Sequence, residues 1–166
     1  MKTSGNRGPQ IESVVGGPAI AAIRDLMREY AAFLDADLSF QGFDEELAAL
    51  PGKYAPPRGA LLLASMPRTG GDPEPAGCVA LRPLGENACE MKRLFVRPEF
   101  RGCGVGKALA ARIIEAGREL GYRKMRLDTL DRLGEAVSLY RALGFRTIDP
   151  YYDNPLPGAL FWELEL

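Results

Sequence analysis

Residues 94–107 read Leu94-Phe95-Val96-Arg97-Pro98-Glu99-Phe100-Arg101-Gly102-Cys103-Gly104-Val105-Gly106-Lys107, and this stretch decides the fold. It opens on an apolar, strand-like run (Leu94 to Val96) and passes through a turn too glycine-rich to carry bulky side chains. It then enters a long amphipathic helix near Gly104. The first N–H groups of a helix have no partner inside it, and the helix dipole favours negative charge at that end. Glycine lets backbone approach a ligand closely and reaches dihedrals that other residues resist. Arg101 and Lys107 add a cation on either side. The expected ligand of this turn is a phosphate or pyrophosphate.

Spacing separates the glycine-rich turns that bind such groups. A P-loop needs G-x-x-x-x-G-K-[ST], whereas Lys107 is followed by Ala108 and Gly102 is misplaced for the first glycine. The dinucleotide pattern G-x-G-x-x-G begins correctly at Gly102 and Gly104, with Asp128 at a suitable distance beyond. Its third glycine falls on Lys107, however, and Pro98–Arg101 intervene between strand and turn. That pattern also opens its domain, and here the turn lies deep in the chain.

The run Val96 to Gly106 resembles the signature of the GNAT superfamily of acyl-CoA-dependent N-acetyltransferases. Arg101, Gly104 and Gly106 meet its core, [QR]-x-x-G-x-[GA], behind a Val96-Arg97-Pro98 lead-in. Tyr140-Arg141-Ala142-Leu143-Gly144-Phe145 is similar to the family's tyrosine preceding a Gly-Phe that opens the next strand. The resemblance covers residues 76–166 firmly and the N-terminal third in outline. It implies a mostly antiparallel mixed α/β sheet, helices on both faces, and one splayed parallel strand pair formed by 88–96 and 124–129. Residues 1–166 are read as a single domain of this kind.

Composition agrees with a soluble globular chain. Of 166 residues, 46% are hydrophobic and 26% charged, which is ordinary for such a domain and sufficient for a sizeable core. A net charge of −1 gives no global attraction to nucleic acid or anionic membranes. No apolar run approaches a membrane span of ~20 residues, and the polar start is no signal peptide. Three cysteines (Cys78, Cys89 and Cys103) without metal-like spacing, and no histidine, argue against zinc. A cytoplasmic protein is the plain reading, with a homodimer left open.

Along the chain, residues 1–9 read as mobile and Gln10–Val15 as a first strand. Pro18 suits a first helical turn, and Ile20, Ile23, Met27, Tyr30, Ala31 and Leu34 recur at helical spacing. Asp44–Leu50 is a shorter helix, Gly59–Ser65 an apolar strand, and Pro67–Pro75 a turn. Ala76–Arg82 and Ala88–Val96 form an antiparallel pair. The helix after Gly104 ends at Gly121. Lys124–Thr129 is the next strand, and its polar alternation (Lys124, Arg126, Asp128) has no explanation in the sequence. Gly134–Leu143 is a helix, while Arg146–Ile148 and Ala159–Leu166 are the last strands. Strands 88–96 and 124–129, bridged by a helix, are expected to run parallel.

Acyl transfer from a thioester to an amine needs a proton acceptor for the amine, a donor for the oxyanion and an acid for the departing thiolate. The resemblance implies that acetyl-CoA is the co-substrate and that its pantetheine arm pairs with Leu94, Phe95 and Val96. The Leu94 N–H would serve the oxyanion, and the pyrophosphate would rest on Gly102, Cys103, Gly104, Val105, Gly106 and Lys107, with Arg101 at the rim. Tyr140 would protonate the leaving thiolate; as a bare pattern it is a half-buried aromatic on the Ala136, Leu139, Leu143 face. Glu90 would take the amine's proton, with a water chain as the alternative. Many family members place Asn just after the strand ending here in Asp128-Thr129, so Thr129 or Asp128 stands in its place. Cys103 reads as a backbone contributor, and Cys78 and Cys89 as core residues.

The acceptor site is less defined. Tyr30, Tyr54 and the cluster Tyr151-Tyr152-Asp153-Asn154 are candidates, with Tyr152 and Asp153 pairing an aromatic face with a carboxylate suited to a cationic amine. A small amine, an amino acid or a peptide N-terminus all fit. The leading expectation is direct acetyl transfer to a primary amine in a ternary complex. A non-catalytic acyl-CoA sensor, or transfer of another acyl group, stands beside it.

Overall fold

A computed structural model describes residues 8–166, so most of the expected mobile stretch 1–9 lies outside the described residues. The chain runs β1 (Gln10–Ser13), α1 (Pro18–Leu34), α2 (Phe43–Ala49), β2 (Ala60–Arg68), β3 (Gly71–Pro83) and β4 (Ala88–Val96). It continues α3 (Val105–Glu119), β5 (Lys124–Leu130), α4 (Gly134–Ala142), β6 (Arg146–Ile148) and β7 (Ala159–Glu165). The strands form one seven-stranded sheet in the order β1-β2-β3-β4-β5-β7-β6. Every pairing is antiparallel except β4 with β5, as a helical crossover between them requires.

The helices take opposite faces because their apolar stripes do. Ile23, Leu26 and Met27 of α1 and Phe43 and Leu47 of α2 pack with Leu61, Leu63, Cys78, Ala80 and Phe95 on one face. Leu109, Ile113 and Ile114 of α3, with Tyr140 of α4, pack with Leu62, Val79, Met91, Met125 and Leu127 on the other. Strand alternation sorts these residues between the faces. Pro18 occupies the first turn of α1, as its fixed φ favours, and Gly121 follows α3 in the left-handed region at φ 86°.

The turn expected over Pro67–Pro75 is corrected. β2 and β3 extend through it to a tight connection in which Arg68 faces Gly71, with Gly70 at φ 75°. Pro67, Pro73 and Pro75 sit in the outer reach of this hairpin, where the pairing shifts register between Ala64 and Ser65 and again between Met66 and Arg68. Bulges are where a strand tolerates residues that cannot donate a ladder hydrogen bond.

The polar alternation of β5 also finds its cause. Lys124 and Arg126 pair with Glu163 of β7 at 3.3 Å and 2.8 Å, and Asp128 pairs with Lys92 of β4. This face of the sheet is roofed by the loop before β7, whose Tyr151 and Tyr152 pack edge-on to Phe161. The strand is thus buried on one side by an apolar core and half-covered on the other by a polar network.

Candidate active site

Two features of the central strands open the site. β4 and β5 pair only at Ala88–Lys124, Cys89–Met125 and Glu90–Arg126; beyond Glu90 they part. On the other edge of β4, Cys78 faces Phe95 while Ala80 faces Lys92, so Arg93 and Leu94 together oppose Val79. That is a bulge, and Arg93 carries it at φ 61°. A bulge leaves a residue out of the ladder and re-aims its neighbours. Leu94 accordingly lines both cavities that meet in the gap.

The larger cavity is a cleft of about 440 Å³ lined by Leu94, Phe95, Val96 and every residue of the turn from Arg101 to Lys107 except Cys103, with α4 opposite. Gly102 and Gly104 have φ of 78° and 81°, and a Cβ built on either meets nothing within 4 Å. The backbone therefore faces open space in a conformation that favours glycine. Gly104 caps α3 without any side-chain hydrogen bond, leaving the first N–H groups of that helix to a ligand. Arg101 closes the rim: its guanidinium lies 4.5 Å from the Phe33 ring centroid and donates to the Val96 carbonyl at 3.2 Å. Cys103 is exposed in the turn.

The smaller cavity, about 60 Å³, lies on the far side of Leu94 and is lined by Tyr30, Gln41, Lys92, Asp128, Asn154 and Tyr140, among others. Tyr140 is buried, packs edge-on to Phe145 at 5.7 Å, and its hydroxyl makes no hydrogen bond among the described residues. Burial raises its pKa above the ordinary phenol value, with Tyr30 and Asp128 adding to the effect. It is a neutral donor throughout the physiological range. Asp128 is the one carboxylate on this wall among the described residues. It accepts hydrogen bonds from the Tyr152 hydroxyl and from Asn154 Nδ2 on one oxygen, and from Lys92 Nζ on the other. Thr129 borders the same space.

The expected site residues thus divide. Leu94, Phe95, Val96, Arg101, Gly102, Gly104, Val105, Gly106, Lys107, Tyr140, Thr129 and Tyr30 converge on the two cavities, while Cys103 lines neither. Glu90 does not: it is fully buried, paired with Arg82 Nε at 2.7 Å and capped by the Tyr151 hydroxyl. Burial raises the Tyr151 pKa, and the neighbouring Glu90 charge raises it further. Tyr54 lines a separate cavity of about 390 Å³ beside α2, and its buried hydroxyl has no partner among the described residues. Tyr152 reaches the site through Asp128 and Gln41, while Asp153 is exposed and lines neither cavity.

Lys92, Gln41 and Arg93 are the site residues that the sequence reading passed over. Arg93 holds the wall together. It donates to both Glu46 oxygens at 2.9 Å and 3.1 Å and to Gln41 Oε1 at 2.8 Å, and it stacks 4.9 Å from the Phe43 ring centroid. Burial works against its charge, but the Glu46 hydrogen bonds and charge outweigh that and hold it ionised. The available signal was Lys92-Arg93 itself, adjacent cations in a largely apolar strand that also carries Glu90. Such a pair breaks strand alternation and marks both a bulge and a buried polar use.

Comparison with known proteins agrees with this geometry. The family model described as Acetyltransferase (GNAT) family matches residues 22–145. A protein of Schizosaccharomyces pombe, described as an uncharacterized N-acetyltransferase, is 46% identical over 142 residues, covering 85% of each chain. Among solved structures, an acetyltransferase from Streptococcus agalactiae superposes with a TM-score of 0.73 at 20% identity, over 96% of this chain and 99% of that one. A GNAT family acetyltransferase from Elizabethkingia anophelis, solved with acetyl-CoA bound, gives a TM-score of 0.64 at 23% identity, over 96% and 99%. At those identities the solved structures speak to the fold.

Proposed function

The chain belongs to the acetyltransferase (GNAT) family and is an acyltransferase, and from that premise we propose that it moves an acetyl group from acetyl-CoA to a primary amine by direct attack in a ternary complex. The observation that carries this is the junction at Leu94. A cleft lined by the glycine turn and a small polar cavity meet there, and the small cavity is lined by both Tyr140 and Asp128. The open glycine backbone at Gly102 and Gly104 and the uncapped start of α3 fit a pyrophosphate. The gap between β4 and β5 fits an extended arm pairing with Leu94 to Val96.

The roles follow from placement. The Leu94 N–H, at the bulge, faces the position where negative charge develops on the carbonyl oxygen. Asp128 receives the incoming amine as an ammonium and takes its proton, a role for which Glu90 is too enclosed. Nitrogen then bonds to the carbonyl carbon, the carbon–sulfur bond breaks as Tyr140 gives its proton to the departing sulfur, and the extra proton left on nitrogen returns to the Tyr140 oxygen while Asp128 releases its own to solvent. The products are an N-acetylated amine and the free thiol. The whole acts as one domain, and the half-buried Tyr30 packs its ring edge-on to Phe95 at the junction. Direct transfer is favoured because Cys103, the exposed thiol, lines neither the cleft nor the small cavity that holds Tyr140.

The test begins with thermal stability in acetyl-CoA, CoA, NAD and ATP. A ligand that binds only the native state at ~100 Kd adds roughly 2.7 kcal/mol, a shift of several degrees. Stabilisation by the CoA compounds alone is expected; a shift with NAD or ATP alone removes the reading. Tyr140→Phe should keep that stabilisation while kcat falls by ~10²-fold. Because the Tyr140 pKa lies above its ordinary 10.0, its loss of protonation should not lower the wild-type rate below about pH 10. Thiol release in an acyl-CoA series separates acetyl transfer from transfer of larger groups. Binding without release would identify a sensor.

A further inference from the structure

Lys92 is the group in the small cavity that the transfer chemistry leaves unused. Its side chain is 7% exposed, and its hydrogen bond among the described residues is a long one, 3.5 Å to Asp128 Oδ1. An ammonium has three donors and no acceptor. Taking it out of water is strongly unfavourable unless it is paired and hydrogen-bonded, and charge-assisted bonds normally close to ~2.7–2.9 Å. The neighbours that would satisfy it are engaged elsewhere. Asp128 Oδ2 is held by Tyr152 and Asn154, and Gln41 Oε1 takes a hydrogen from Arg93. The remaining donors of Lys92 therefore face the cavity it lines.

Charge accounting narrows what should meet them. Arg93 is neutralised by both oxygens of Glu46, so the cavity wall carries one cation and one anion, Lys92 and Asp128. A ligand with both charges would convert their loose pair into two short contacts, its carboxylate on Lys92 and its ammonium on Asp128. Size sets the separation. The cavity is only about 60 Å³, and Lys92 lines it together with the junction residue Leu94, two positions on across the bulge. The carboxylate must then sit within a few bonds of the reacting nitrogen. A polyamine would bring a second cation against Lys92, and an internal position in a peptide offers no adjacent carboxylate.

Resting on the acetyl-transfer reading above, we infer that the acceptor is a small amino acid with a free carboxylate beside its amine, and that Lys92 anchors that carboxylate. Lys92 is then the specificity-determining residue.

The experiment compares the L-amino acids with their C-terminal amides as acceptors at saturating acetyl-CoA. Thiol release and calorimetric binding of the same compounds are the readouts. Wild type should favour at least one free acid over its amide by at least about tenfold in kcat/KM, the weight of a charge-assisted hydrogen bond. Lys92→Met should bring that ratio close to one through KM, with acetyl-CoA stabilisation unchanged. Lys92→Arg should keep most of the preference. If Lys92→Met fails to fold because Asp128 is left buried and unpaired, the Lys92→Met, Asp128→Asn double variant removes both charges, and its calorimetric acid-to-amide ratio should be near one. Amides bound and acetylated as well as acids, a preference that survives Lys92→Met, or no amino acid bound at all would each overturn the inference. Failure of acetyl-CoA to stabilise wild type would instead strike the transfer reading, so the two are distinguishable.

Discussion

The two cavities that meet at Leu94 are made in opposite ways. The cleft proposed for the phosphates rests on one short turn, whose glycine backbone faces open space and whose Arg101, Gly102, Gly104, Val105, Gly106 and Lys107 line it. The acceptor side is almost all side chain, drawn from α1, β4, β5, α4 and the loops around Gln41 and Asn154. A backbone site needs little more than its local dihedrals, and glycine provides them wherever the rest of the fold goes. A side-chain site exists only after the sheet, α2 and the β7 loop have closed on one another. The first should therefore survive damage to the second, and the reverse dependence should be weak.

The strongest way to break that contrast is Arg93→Ala. Arg93 joins β4 to Glu46 of α2 and to Gln41, with a side chain only 2% exposed. Removing one partner of a buried pair typically costs about 3–5 kcal/mol, because the other charge is left uncompensated. The denaturant midpoint should fall accordingly, and Arg93→Met combined with Glu46→Gln should recover part of the loss. Acetyl-CoA should still stabilise whatever folds. A loss below about 1 kcal/mol would mean that this wall does not depend on its central ion pair.

Gly104→Glu approaches from the other side. The residue sits at φ 81° and a Cβ there meets no atom within 4 Å, so the direct penalty is the left-handed backbone, roughly 1–2 kcal/mol. Bulk and negative charge would instead stand where phosphates should lie. The ~2.7 kcal/mol of stabilisation expected from acetyl-CoA at ~100 Kd should vanish, while Gly104→Asn, which tolerates the left-handed region, should retain most of it. A folded Gly104→Glu protein that still gains full stability from acetyl-CoA would move the phosphate site away from the turn.

This difference in construction also explains what the sequence made legible. The turn, the α3 stripe from Val105 to Ile113 and the parallel crossover depend on residues close together in the chain, and all stand where pattern and resemblance put them. The acceptor wall depends on residues such as Gln41, Lys92 and Asn154, which are far apart in sequence. Glu90 illustrates the limit: its place in β4 is a property of the strand, but its availability depends on Arg82 and Tyr151, which the strand does not reveal. The β5 alternation was visible and opaque for the same reason, since Glu163 and Lys92 lie on other strands. The Pro67–Pro75 turn was misjudged because proline marks a loop only where the ladder needs its N–H, and at the bulged outer end of β2 and β3 it does not.

The smallest effect sharpens the boundary of the acceptor side. Tyr54 was a candidate for amine binding, yet it lines the separate cavity beside α2 with Glu46 and Arg82. Its hydroxyl is buried without a partner among the described residues, and burial, followed by the Glu46 charge, keeps its pKa well above the ordinary phenol value. An unpartnered buried polar group costs about 1–3 kcal/mol, part of which an apolar replacement of the same shape recovers. Tyr54→Phe should thus raise stability by about 1 kcal/mol and leave kcat/KM for every acceptor within twofold. A fall in kcat/KM confined to particular acceptors would extend the acceptor site past Gln41, which borders both spaces. The side-chain half of the cleft would then reach further from Leu94 than the small cavity alone.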